Sequence, residues 1–104
     1  MDKSKLSAEE LKEFHEKTKN IDKKLDHGRA YRTLMNPLRR DILQFIGYEI
    51  KSIEELIKEF ELDSEQLNYH LNMLKQVFFI IDSNKGWKLT PRGIGFLENA
   101  QLSD

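Results

Sequence analysis

Residues 63–77, DSEQLNYHLNMLKQV, decide how this chain is read. Leu67, Leu71 and Leu74 recur at i, i+4 and i+7, one face of an α-helix. Asp63 or Ser64 is placed to cap its start by accepting a hydrogen bond from an orphan backbone N–H. The opposite face carries Ser64, Gln66, Asn68, Tyr69 and Asn72, side chains rich in hydrogen-bonding groups and poor in formal charge. Asn and Gln amides match the edge of adenine in a major groove, so the face suits base edges. An ordinary solvated helix has the same composition, and the flanking segments must decide between the two.

Upstream, Ser52 with Glu55 three residues on is a capping-box pattern. The helix it opens, IEELIKEF, turns Ile53, Leu56, Ile57 and Phe60 inward. A short link, Glu61-Leu62-Asp63, joins it to the helix of 63–77. Two short helices joined this way, the second with a polar face, have the outline of a helix-turn-helix. Downstream, the period changes. Residues 78–81 are aromatic and β-branched, 82–86 (DSNKG) are turn chemistry, and 87–90 (WKLT) return with alternation. This predicts a hairpin over about 79–90, with Lys85 near its tip, Lys88 on its outer edge, and Phe79 and Trp87 in its core. Ile50 lies in a connector that suits one edge strand. Thr90–Pro91 caps and opens a last helix bearing Ile94, Phe96, Leu97 and Ala100; Gly93 and Gly95 lower its propensity, so packing must hold it. The end of the chain, from 100 on, is expected to fray.

Toward the N-terminus, Ser7 and Glu10 form a second capping box. The helix it starts is expected to reach Asp26, with His27–Gly28 as its stop. Leu11, Phe14, Thr18, Ile21 and Leu25 follow at steps of 3, 4, 3 and 4, a heptad seam. The seam requires another helix, either in a second subunit or in the same domain; we favour a homodimer. A second helix then carries Tyr31, Leu34 and Met35 up to Asn36–Pro37, where Asn36 caps and proline opens a further helix, PLRRDILQFI. Leu38, Ile42, Phe45 and Ile46 face inward and Gly47 ends it. Arg39 and Arg40 lie off that face, able to touch phosphate or to pair with the acidic stretch 54–61.

Composition bounds the reading further. A chain of 104 residues fits one domain, 1–104. Within it, 1–27 is expected to serve dimerisation, 28–90 to hold the helix-turn-helix and hairpin, and 91–104 to form the C-terminal helix. With no cysteine, disulfides, thiolate metal sites and cysteine nucleophiles are excluded. There is no phosphate-binding Gly loop, nucleophile elbow or His–carboxylate cluster of usable spacing. No enzyme, no cofactor and no metal is therefore expected. His15 and His27 are expected at the surface, and His70, beside the leucine face, as a hydrogen-bonded structural histidine. The first residues lack the apolar core of a signal peptide, and the longest apolar run, 77–81, is far short of a membrane span; a cytoplasmic protein is expected. The formal net charge is −1, unlike the basic excess of most DNA-binding domains. Its distribution is uneven: residues 28–51 hold five cations against two anions, and residues 52–63 one cation against five anions.

Three segments together resemble the winged-helix transcription regulators of the ArsR-like class, in the broader company of MarR-like proteins. LMNPLRRDILQFI is similar to the class's Leu-x-x-Pro-x-Arg-Arg-x-Ile-Leu opening. LDSEQLNYHLNMLKQ is similar to its Ser-x-x-x-x-Ser-x-His-Leu-x-x-Leu recognition helix, and WKLTPRG to its Tyr-x-Leu-Thr-x-Lys-Gly segment. The resemblance covers about residues 30–95. It implies a mainly α chain with a small β-hairpin wing, a winged helix-turn-helix of order α/α/α/α/β/β/α. It implies sequence-specific binding of double-stranded DNA by a homodimer, with the helix of about 64–76 in the major groove. Ser64, Gln66, Asn68, Tyr69 and Asn72 would meet bases or phosphates. Lys75, Lys85, Lys88 and Arg39 would neutralise the backbone, so substituting Lys88 should weaken all duplexes about equally. Leu11, Phe14, Thr18, Ile21 and Leu25, with Phe96 and Leu97, would form the dimer surface. Phe78 stands where the class usually has a small residue, so the recognition helix is expected to end differently. Asn68 replaces a common Ser, and Glu65 either accepts from a cytosine amino group or favours the helix dipole. Metal-sensing members use Cys or paired His and carboxylate ligands; here the last helix offers only Glu98. The alternative reading is a winged-helix protein–protein module without DNA binding, motivated by the near-neutral charge.

Overall fold

The computed structural model describes residues 4–102, and their side chains as far as Asn99. Six helices and one hairpin run in the order α1 (Ala8–Thr18), α2 (Lys23–Leu34), α3 (Pro37–Ile46), α4 (Ile53–Phe60), α5 (Ser64–Gln76), β1 (Ile80–Ser83), β2 (Gly86–Leu89) and α6 (Pro91–Leu102). Five helices precede the hairpin, as the local start signals indicate and one more than the order implied by the resemblance. The arrangement is a winged helix-turn-helix.

The helix starts follow local capping chemistry. Ser7 Oγ accepts from the Glu10 N–H while the Glu10 carboxylate accepts from the Ser7 N–H, closing the predicted box. Asn36 Oδ1 accepts from the Leu38 N–H, Ser52 Oγ from the Glu55 N–H, and Asp63 Oδ1 from the Gln66 N–H. Asp63, rather than Ser64, is thus the cap of α5. Gly47 takes a positive φ of 54° and ends α3.

The N-terminal third corrects the sequence reading. The expected single helix to Asp26 is broken after Thr18, and α2 starts at Lys23. Asp22 causes the restart: its carboxylate accepts from the N–H groups of both Lys24 and Leu25. At the end of α1 the Thr18 hydroxyl donates to the Phe14 carbonyl, a local bond typical where a helix is bent or stopped. Gly28 is therefore no stop but an interior residue of α2. The heptad seam is split too: Leu11, Phe14 and Thr18 lie on α1, Ile21 in the link, and Leu25, exposed, on α2.

One core joins α3, α4, α5, the hairpin and α6. Ile42, Leu43 and Ile46 of α3, Leu56 of α4, and Leu67, Leu71 and Leu74 of α5 are fully buried and meet Phe79, Ile80, Trp87, Leu89, Ile94 and Leu97. Leu97, expected at a dimer surface, is thus a core residue, while Phe96 is half-buried against the same cluster. The last helix turns its Ile94–Leu97 side inward, and the spacing alone did not separate core from interface.

The hairpin pairs Ile80 with Leu89 and Ser83 with Gly86, leaving Asn84 and Lys85 as the turn. Lys51 adds a single antiparallel bridge to Trp87, with N–H to carbonyl distances of 2.9 and 2.8 Å. Gly86 lies against this bridge: a Cβ there would come within 2.5 Å of the Lys51 carbonyl oxygen. After α5, Phe78 adopts φ 65°, the left-handed conformation that a Gly would take without strain. Thr90 closes the region. Its hydroxyl donates to the Phe78 carbonyl at 2.6 Å and accepts from the Gly93 N–H, capping α6 as expected.

Candidate nucleic-acid interface

The face of α5 opposite its three buried leucines is open. Ser64, Gln66, Asn68, Tyr69, Asn72 and Lys75 are all exposed. Rigidity comes from behind, since a helix pinned by fully buried leucines cannot rotate without exposing them. Asn68 shares a concavity of about 420 Å³ with the hairpin tip, which contributes 82–87 including Lys85. The N-terminal end of α4 closes it with Ser52, Ile53 and Glu54. Helix face and wing tip therefore border one groove, although Glu54 and Asp82 place negative charge in it.

Lys75 does not share that groove. It lines a concavity on the α1 side, with Glu10, Glu13, Phe14, Lys17 and Asp82. Lys88 departs further from expectation. Its Nζ lies 2.6 Å from a Glu10 carboxylate oxygen and donates to the Lys5 carbonyl at 2.9 Å, with only 6% of the residue exposed. Strand alternation correctly turns Lys88 away from Trp87 and Leu89, but the segment 5–10 covers that outer face, and Leu6 is buried there. The Lys88 charge is thus neutralised within the chain. Burial raises the Glu10 pKa, but hydrogen bonds from Lys88 and Ser7 and the Lys88 charge outweigh it, and the net shift is downward.

Arg39 does not pair with the acidic stretch. It is buried, with Nε donating to His70 Nδ1 at 3.1 Å and Nη1 to the Thr33 carbonyl at 3.4 Å. Its guanidinium carbon also lies 5.6 Å from the centre of the Tyr69 ring. Arg40 donates to the Leu34 carbonyl. His70 is the structural histidine expected. Accepting at Nδ1 requires that nitrogen to be unprotonated; burial, reinforced by the Arg39 charge, holds the His70 pKa below its ordinary value. Arg39 thereby ties α3 to the middle of α5 and orients Tyr69.

Comparison with known proteins agrees with this geometry. A family model described as "Helix-turn-helix domain" matches residues 34–80, from the end of α2 into β1. An uncharacterized protein of Archaeoglobus fulgidus is 39% identical over 72 residues, covering 69% of this chain and 83% of that protein. Residues 34–80 are thus similar to a helix-turn-helix domain, in agreement with the fold. No solved structure matches it.

In helix-turn-helix terms, α4 and α5 are the two helices of the motif and α3 the helix that supports them. Glu61, in the left-handed conformation at φ 53°, makes the turn between them. Sequence reasoning overlooked Arg29, Arg32 and Gln76. Together with Arg39 they line a further concavity, of about 590 Å³, beside α5. The two α2 arginines are spaced i, i+3 and so share a face, a signal the sequence carries on any helix that spans them. Among the described residues no group of His and carboxylate side chains is arranged to hold a metal, and no helix is long and apolar enough to cross a membrane.

Proposed function

We propose that this protein is a sequence-specific double-stranded DNA-binding transcriptional regulator of the ArsR-like winged-helix class. The recognition helix, about 64–76, enters the major groove and the wing, about 79–90, meets the backbone through Lys85. The observation that carries the reading is the uncharged polar row on α5, from Ser64 through Asn68 to Asn72, exposed on a helix anchored by fully buried leucines and bordered by the wing tip. Asn and Gln side chains read adenine bidentately, while Lys75 and Lys85 supply phosphate contacts that position without specifying. On this reading the protein is cytoplasmic, acts by binding alone and carries no catalytic residue.

The protein acts as a homodimer, which presents two recognition helices to a pseudo-palindromic site. Leu25, 52% exposed, is the most open residue of the N-terminal seam, and Leu11, Phe14, Thr18, Ile21 and Phe96 are only half-buried. This surface is the one left for a second subunit now that Leu97 is assigned to the core.

A second reading, a winged-helix protein–protein module, draws on the internal use of Lys88, which takes one expected cation out of the wing, and on the bonds to His70 and Thr33 that hold Arg39 off the open face of α5. Substituting Asn68 and Asn72 together by Ala separates the two. For a DNA reader the variant should lose about tenfold or more in discrimination between a selected duplex and its scrambled counterpart, in line with ~1–3 kcal/mol per bidentate pair. An unchanged ratio would remove α5 as the reading helix.

A further inference from the structure

The concavity beside α5 has no place in the base-reading face just described. Arg29 and Arg32 reach it from α2, Arg39 from α3, and Met73 and Gln76 from α5. No carboxylate lines it. Arg29 and Arg32 are exposed and form no salt bridge among the described residues. Asp26, which feels the Arg29 charge, is committed to Arg92 on α6. Like charges one turn apart on a helix repel, so three guanidiniums around one hollow leave a local positive field, with Asp22 and Asp26 lining the neighbouring concavity beside Arg29 rather than this one. Arg39 is held in place by His70 and the Thr33 carbonyl, which leaves the other donors of its fork uncommitted. Planar guanidinium forks suit phosphate oxygens bidentately.

We propose that the hollow formed by Arg29, Arg32 and Arg39, with Gln76 at its edge, is a phosphate-type anion site. Two sources present that chemistry: a backbone phosphate of duplex DNA flanking the groove read by α5, or a free phosphorylated small molecule. In the first case the site lengthens the footprint past the recognition helix onto α2, and that form rests on the regulator reading. In the second it is an effector site whose occupant pulls on Arg39, and through Arg39 on His70 and Tyr69.

Two measurements on the 104-residue chain test the site, each with the wild type and with Arg29→Ala combined with Arg32→Ala. Both side chains are exposed, so the double variant should fold, and circular dichroism checks this. The first measurement titrates pyrophosphate at constant ionic strength against chloride and follows backbone amide resonances. Saturable shifts at 29–33, 39 and 73–76 in the wild type, lost in the double variant, support the site. The second follows duplex affinity across a salt series. A log–log slope shallower by about 1–2 in the double variant, as expected when one or two phosphate contacts are lost, assigns the site to the DNA backbone. Pyrophosphate binding with an unchanged slope assigns it to a free anion. If the chain binds no DNA, the regulator reading fails and the pyrophosphate measurement decides alone. Absence of both the shifts and the slope change overturns the proposal.

Discussion

Gly93 has no room for a side chain. A Cβ built there would lie 2.3 Å from the Phe79 carbonyl oxygen and 3.1 Å from Leu89 Cβ. Gly93→Ala must therefore push α6 off the hairpin, and urea unfolding should show a loss of about 1–3 kcal/mol, the range for overpacking a tight site. Read as a sequence, this Gly only lowered the propensity of a helix; the close approach that requires it is a tertiary fact. His70 is the second residue with a measurable signature. Its folded pKa is depressed, so its neutral form stabilises the protein above the ordinary imidazole value of 6.5. That contribution is lost as pH falls below 6.5 toward and through the folded pKa, where the unfolded chain binds a proton more readily. Glu10 and Asp26 are also depressed, from 4.5 and 3.8, so their stabilisation is lost only at lower pH. Between pH 7.5 and 5 the urea midpoint should therefore fall for the wild type and fall less for His70→Gln, which keeps an acceptor for Arg39 without titrating there. Equal slopes in the two proteins would contradict the Arg39–His70 bond.

At the scale of elements, α3 to α6 were legible because each carries its own start signal and an apolar face, from Asn36–Pro37 through Ser52 and Asp63 to Thr90. Buried leucines on α5 and a polar row opposite followed directly from the period. The N-terminal elements were not legible to the same degree. A heptad-like spacing of Leu11, Phe14, Ile21 and Leu25 runs straight across the break, and Asp22 could be recognised as a cap only once the chain was seen to restart there. Lys88 was misplaced for a related reason. Its strand phase was right, but what covers that face comes from residues 5–10, more than seventy positions away. Lys88→Met should accordingly lower stability by about 1–2 kcal/mol, below the full effect of breaking a buried pair because Glu10 stays partly exposed. It should leave the salt dependence of duplex binding unchanged. A shallower salt slope in Lys88→Met would return Lys88 to the phosphate-contacting set.

Across the whole molecule, function depends on how a net charge of −1 is distributed. The cations of 28–51 cluster around α2 and α3, whereas the acidic excess of 52–63 covers α4 and reaches the wing groove through Glu54. On the regulator reading, long-range attraction to DNA is consequently weak, and binding relies on contacts made at short range. Such a protein should bind modestly at near-physiological salt and discriminate through α5. The most direct test is fluorescence anisotropy with a labelled pool of random duplexes at low and near-physiological salt, followed by sequencing of the bound fraction. The regulator reading predicts binding that weakens with salt and enriches a two-fold symmetric motif, whose half-site spacing reports the dimer geometry. Salt-sensitive binding without enrichment, or no binding even at low salt, would contradict it.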